Sequence, residues 1–192
     1  AVLDFWDDFS DDGSLVEKDK QVDDDPMASL SVQQEIPANE TKVFQFFLTW
    51  HFPNRQAWAS EVVGNYYTTQ YADAWDAISK TYPDLDTLES QTLEFAHAFL
   101  DADFPDEVKE AALFNLSTRR SQTVFRLADG HMMGWEGCMD MNGSCAGSCT
   151  HVWNYEQATA FLFGKLAETM RDVEFNYATR PNGSMSFRAG LP

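Results

Sequence analysis

The chain has 192 residues, of which 44% are apolar and 14% aromatic, and its formal net charge is −18. This apolar fraction is sufficient for a packed core, and so many aromatic residues are unusual in a disordered acidic tail. The negative charge argues against nucleic acid or an anionic membrane as partner, because both are bound through Lys and Arg. The composition therefore favours a globular protein with a neutral ligand.

No segment has the basic start and apolar run of a secretion signal, and no apolar stretch approaches the roughly 20 residues that span a bilayer. We therefore expect a soluble chain without a membrane span. The chain begins without Met and reads as a mature or excised piece. Its compartment stays open, with the cytoplasm favoured.

The first 53 residues predict an acidic segment followed by two strands. Residues 1–26 are rich in Asp, which indicates a poorly ordered surface segment. Residues 29–36 and 42–52 alternate apolar side chains with others, a pattern typical of strands. Residues 37–40 between them have the composition of a turn. Together these segments predict a hairpin from a β-sandwich.

The pattern becomes helical after residue 54, where apolar residues recur at spacings of three and four up to Pro83, a residue that disrupts helices. A second helix is predicted from about Asp86, a third after Pro105 and a fourth over residues 154–175. The short links between the first three make antiparallel neighbours. Strands followed by successive helices predict an α+β protein with a β domain and an all-α domain.

Between the third and fourth helices the sequence predicts a short strand at residues 123–127 and a functional loop at residues 129–149. The loop is rich in Gly, Met and Cys and has no period. Residues 181–183, Pro-Asn-Gly, predict a turn between short extended segments near the end of the chain.

Within this loop, Glu136 lies between Trp135 and a glycine. Gly lets the backbone approach a ligand, an indole face can stack on a pyranose ring, and a carboxylate can attack an anomeric carbon. In a retaining glycosidase a second carboxylate, about 5 Å away, protonates the leaving oxygen. Alternatively, Glu136 caps a turn or pairs with an Arg.

A second group of polar and aromatic residues precedes the fourth helix. His151, Trp153 and Asn154 could bind sugar hydroxyls and stack on the ring at the start of that helix. Alternatively, Trp153 is a core residue and Asn154 is the helix N-cap.

Cys138, Cys145 and Cys149 are an odd number of cysteines within twelve residues, so they cannot all pair within the chain. Their spacing matches no common zinc signature, although His151 could complete a set of four ligands. We prefer the interpretation that the three cysteines are small residues of a tight loop, and we expect neither a metal nor another cofactor.

Six short segments resemble glycoside hydrolase family 116, the family of non-lysosomal glucosylceramidases. They occur in the family's order between about residue 43 and the end of the chain. The segments are WHFPN at 50–54, GNYY at 64–67, YADAW at 71–75, ALFNLS at 112–117, GWEG at 134–137 and CTHVWNY at 149–155.

The resemblance implies an N-terminal β-sandwich followed by an (α/α)6 barrel. Residues 1–53 would then contain the acidic segment and the last strands of the sandwich, and residues 54–192 the first part of the catalytic barrel. The family's nucleophile falls on Glu136, and the position of a sugar-binding Asp falls on His151, after an inserted loop. The implied substrate is a β-glucoside or β-xyloside, with a glucosylceramide-like lipid included.

The family's acid/base Asp lies well downstream of its nucleophile, and nothing after residue 155 resembles that motif. Asp172 is a poor substitute, because it is predicted to lie within the fourth helix. The resemblance therefore implies that the chain is incomplete and inactive alone on ordinary glycosides. Its partner would be the remainder of the barrel, either missing C-terminal sequence or another chain. The alternative is a non-catalytic carbohydrate-binding or scaffold module, in which Glu136 only accepts hydrogen bonds from the sugar.

Overall fold

A computed structural model of the protein describes residues 2–17, 28–57, 60–117, 124–134, 148–149 and 157–189. The chain divides into two compact units, Ala1–Phe46 and Phe47–Pro192. None of the helices in the described ranges is long and apolar enough to cross a membrane.

The first unit begins with helix α1, Val2–Asp12, where the sequence analysis predicted a poorly ordered segment. That prediction was wrong for these residues because the aspartates are interspersed with aromatics that contact one another along the helix. Phe9 lies 6.0 Å from Phe5 and 6.4 Å from Trp6, measured between ring centroids. Gly13 follows the helix with a positive φ of 78°, the conformation that commonly ends a helix.

The predicted turn at residues 37–40 is confirmed, but the two strands beside it are not formed. The Glu40 amide donates to the Pro37 carbonyl at 3.1 Å, and Asn39 has a φ of 65°. Neither residues 29–36 nor residues 42–52, all of them described, form a strand. Their alternating apolar side chains are largely exposed, Leu48 by 84%. Two isolated strands are marginal without further strands or a packed face, and the β-sandwich stays a prediction.

The helices predicted between residues 54 and 117 are present. They are α2 at Ala74–Thr81, α3 at Leu85–Leu100 and α4 at Asp106–Ser117. The first is shorter than predicted, because the Asp73 carboxylate accepts from the Asp76 amide and caps a new helix there. A separate 3₁₀ turn, Tyr66–Thr69, precedes it, and a second one, Tyr82–Asp84, contains Pro83.

A β-hairpin follows. Strand β1, Val124–Arg126, confirms the predicted strand and pairs antiparallel with β2, Met132–Gly134. A third strand, β3, Ser148–Cys149, pairs antiparallel with β4, Arg188–Ala189. The segment predicted as a loop, residues 129–149, therefore contains β2 and β3. Its lack of period reflects the shortness of the two strands.

The predicted fourth helix is divided into α5, Gln157–Leu162, and α6, Gly164–Asp172. The break is at Phe163, whose φ of −136° and ψ of 58° are not helical, and it is followed by Gly, a weak helix former. A π-helix, Val173–Tyr177, continues α6. The predicted turn at residues 181–183 is confirmed, since the Gly183 amide donates to the Arg180 carbonyl at 2.8 Å.

The core of the second unit is built around the β1–β2 hairpin. Side chains of a strand alternate between its two faces, and here both faces are buried. One face belongs to a cluster with α6, formed by Val124, Met132 and Met170. The other belongs to a cluster formed by Ala57, Phe125, Leu127, Met133, Val173 and Ala189. Helix α3, by contrast, buries none of its residues.

Candidate functional site

The β1–β2 hairpin positions the chain immediately before the predicted nucleophile. Its last residue, Gly134, precedes Trp135 and Glu136. The Gly134 amide donates to Ser148 Oγ at 3.0 Å, and Ser148 is only 4% exposed. The described residues on either side of residues 135–147 are therefore joined in the buried interior.

All the predicted site residues lie outside the described residues, so their roles stay predictions. These residues are Trp135, Glu136, His151, Trp153 and Asn154. Cys138 and Cys145 also lie outside, and of the three cysteines only the backbone of Cys149 is described, in β3. In the described ranges, no group of three or more His, Cys, Asp or Glu residues is arranged to hold a metal ion.

The described residues beside this segment contain a charged cluster centred on His131. Its Nδ1 lies 3.0 Å from Asp129 Oδ2, and its Nε2 lies 3.1 Å from Asp172 Oδ2. The ring also contacts Tyr177 edge-on, with 5.6 Å between centroids. The cluster therefore joins the hairpin turn, which carries Asp129, to the end of α6, which carries Asp172.

The two carboxylates favour the protonated imidazolium. The hydrogen bond with Asp129 and then that with Asp172 raise the pKa of His131, and partial burial opposes them only in part. Burial acts to raise the pKa of Asp129, but the hydrogen bonds from the backbone and ring of His131 outweigh it and lower that pKa. The pKa of Asp172 is lowered by hydrogen bonds from Asn176 and from His131.

The turn that carries His131 is closed by several hydrogen bonds. Asp129 Oδ1 accepts from the His131 amide at 2.9 Å, and the Leu127 amide donates to the His131 carbonyl at 2.8 Å. Arg126 Nε donates to the Gly130 carbonyl at 2.9 Å, and the guanidinium lies 3.7 Å from the centroid of the Tyr66 ring. The imidazole is therefore presented from an ordered turn.

Glu174, a buried acid in the π-helix, lies two residues after Asp172 in the sequence. Arg171 Nη1 donates to its Oε2 at 2.5 Å. Burial raises the pKa of Glu174, although Arg171 acts in the opposite direction. π-Helical turns are frequent at functional sites, but this carboxylate is enclosed in the core and is not open to a substrate.

Asp129 and His131 lie in the segment that the sequence predicted as a functional loop, but neither residue had a predicted role. The Asp-Gly-His order is a recognisable turn signal, because an Asp side chain often accepts from the amide two residues later. The contact with Asp172 spans 41 residues, and no local pattern indicates it.

The comparisons with known proteins give one family match. Residues 1–88 match the model described as beta-glucosidase 2, glycosyl-hydrolase family 116 N-term. No curated protein matches the chain. The matched range ends before the β1–β2 hairpin and before Glu136. The match supports the suspected relationship to glycosyl-hydrolase family 116 over residues 1–88, a little less than half of the chain.

Proposed function

We propose that this chain carries part of the catalytic region of a retaining β-glycosidase, with Glu136 as the nucleophile and a β-glucoside or β-xyloside as the substrate. The family match over residues 1–88 is the observation that carries the proposal. The GWEG segment at 134–137, which follows directly on the buried strand β2, supports it further. The proposed architecture is a β-sandwich ending near residue 53 and the first part of an (α/α)6 barrel from residue 54.

In the proposed reaction, a Glu136 carboxylate oxygen attacks the anomeric carbon and the bond to the leaving oxygen breaks. A second carboxyl group donates its proton to that oxygen, and water then cleaves the glycosyl-enzyme ester. Trp135 and Trp153 are proposed to stack on the sugar, and His151 and Asn154 to bind its hydroxyls.

The described acids near α6 do not suit the role of proton donor. A general acid needs a pKa close to the working pH, whereas hydrogen bonds from Asn176 and His131 lower the pKa of Asp172. Glu174 has a raised pKa, but it is buried in the core and paired with Arg171. We therefore propose that the acid/base Asp lies outside this chain, in the remainder of the barrel.

The proposal is tested by trapping the nucleophile with an activated 2-deoxy-2-fluoro β-glucoside, followed by peptide mapping by mass spectrometry. The leaving group of this probe needs little protonation, so the acid/base residue is not required. The reaction is run on the 192-residue chain and on the chain combined with the rest of the barrel. Glu136→Gln removes the nucleophile, and Glu168→Gln, at an exposed position of α6, is the matched control.

We expect the label on Glu136 in the unmodified protein and in the Glu168→Gln variant, and no label in the Glu136→Gln variant. A label on another residue would overturn the assignment. Glycan binding that persists in Glu136→Gln, with no label in any of the proteins, would instead identify a carbohydrate-binding module.

A further inference from the structure

His131 immediately precedes β2, and β2 immediately precedes the residues predicted to act on the substrate. Three residues, Met132–Gly134, lie between it and Trp135 in the sequence, and the strand that they form is about 10 Å long. In the sequence, His131 is therefore joined through β2 to the start of the segment that contains Glu136.

Helix α6 holds this strand at two successive points. Thr169 Oγ1 accepts from the Met132 amide at 3.1 Å, and three residues later Asp172 binds the His131 ring at 3.1 Å. Residues three apart lie on the same side of a helix. One side of α6 therefore fixes both the turn and the first residue of β2, while Ser148 fixes the last residue at 3.0 Å.

For His131 to donate a hydrogen bond to both carboxylates, both ring nitrogens must carry protons. A neutral imidazole has one N–H donor and one lone pair, so one of its nitrogens would face a carboxylate as an acceptor. Among the described residues, the titratable groups that face the ring are Asp129, Asp172 and Tyr177. The other charged side chain of the hairpin, Arg126, binds the Gly130 carbonyl, and Arg171 of α6 binds Glu174.

We propose that His131 is a positioning residue: by binding Asp129 and Asp172 together, it fixes the β1–β2 turn to α6 and so holds the strand that leads to Glu136. This inference rests on the proposed role of Glu136. It assigns no contact between His131 and the substrate, and its effect on the reaction is transmitted through β2.

The first test uses hydrogen exchange, which does not depend on catalysis. In the full chain, His131→Asn should increase the exchange rates of the Met132 and Gly134 amides at least tenfold, while amides in α3 stay unchanged. His97→Asn replaces an exposed histidine of α3 and serves as the control. Exchange at Met132 and Gly134 that is equally slow in both variants would overturn the proposal, whatever the outcome for Glu136.

The second test measures the rate of labelling by the 2-deoxy-2-fluoro β-glucoside as a function of pH, in the assembly that supports trapping. In the unmodified protein the rate should fall as pH rises through the raised pKa of His131. Asp172→Asn keeps a hydrogen-bond acceptor but removes one of the two charges, so it should move this fall to lower pH. A general structural defect would instead reduce the rate equally at every pH.

The two proposals fail in different ways. Absence of any label in the unmodified protein contradicts the role of Glu136 but leaves the hydrogen-exchange test intact. Labelling of Glu136 with the same pH profile in the Asp172→Asn variant as in the unmodified protein contradicts the role of His131 alone.

Discussion

Glu174 binds Arg171 with only one of its two carboxylate oxygens. Arg171 Nη1 lies 2.5 Å from Oε2, whereas Oε1 is buried and has no hydrogen-bond partner among the residues that the structure describes. The residue is only 3% exposed, so the unpartnered oxygen lacks the solvation that a charged carboxylate needs. The ion pair therefore does not fully compensate for burial, which is why the pKa of Glu174 is raised above its usual value of 4.5.

This arrangement predicts that Glu174 destabilises the fold increasingly as pH rises. The Glu174 carboxyl group holds its proton more tightly in the folded state than in the unfolded state. The stability that this group contributes is therefore fully present below pH 4.5 and is lost as pH rises through the raised pKa. Glu174→Gln keeps an oxygen that accepts from Arg171 and removes the titration. The free energy of unfolding of the unmodified protein, minus that of the variant, should therefore fall between pH 4 and pH 7, as measured by urea denaturation.

Glu168→Gln controls for the change in net charge, because it removes one carboxylate from an exposed position of α6. A difference for Glu174→Gln that stays constant or rises over this pH range would contradict the assignment of Glu174 as a buried, incompletely paired acid.

Met133 provides a test of where the core lies. It is 0% exposed, belongs to the cluster on one face of the hairpin and faces Phe125 across the two strands. Met133→Ala should lower the free energy of unfolding by about 2–5 kcal/mol, because it leaves a cavity that the hairpin cannot fill. Met185→Ala, at a residue that is 40% exposed, should change it by about 0.5 kcal/mol. Equal losses in chemical denaturation would show that the hairpin is not the centre of the core.

The sequence predicted elements with clear local boundaries and missed those defined by distant contacts. Helices α3 and α4 were predictable because Pro83 and Pro105 separate apolar patterns of helical period. The division of the last helix at Phe163 was not, because an apolar residue continues the pattern whether its backbone is helical or not. Residues 42–52 show the opposite error, since alternation predicts a strand although a strand also needs a partner.

The candidate site was predictable only in its local part. The Asp-Gly-His turn and the GWEG segment are only two residues apart in the sequence, so their proximity along the chain is evident from the sequence alone. The partner of His131 is Asp172, on another element, and the burial of Glu174 depends on packing around the hairpin. Such relationships arise only from the tertiary fold.

Ser148 tests how the segment before Glu136 is held. Its buried Oγ accepts from the Gly134 amide at 3.0 Å, so Ser148→Ala leaves a buried N–H without this partner. We expect a loss of about 1–3 kcal/mol in the free energy of unfolding and faster hydrogen exchange at Gly134. Ser186→Ala, at an exposed position, is the control and should change stability by about 0.5 kcal/mol. Unchanged exchange at Gly134 in Ser148→Ala would contradict this hydrogen bond.

Gly64 tests how closely the backbone at this residue packs against the hairpin turn. Its φ is +66°, and a Cβ atom added there would lie 3.0 Å from Ala128 Cβ and 3.4 Å from the Pro53 carbonyl oxygen. Gly64→Ala should therefore lower the free energy of unfolding by about 1–3 kcal/mol, because the left-handed backbone is strained for alanine. The close contact with Ala128 adds to that strain. Gly164→Ala is the matched control, since a Cβ there meets no atom within 4 Å and alanine favours a helix by up to about 1 kcal/mol. Thermal unfolding that shows Gly64→Ala to be as stable as Gly164→Ala would contradict both the backbone conformation at Gly64 and its contact with the turn.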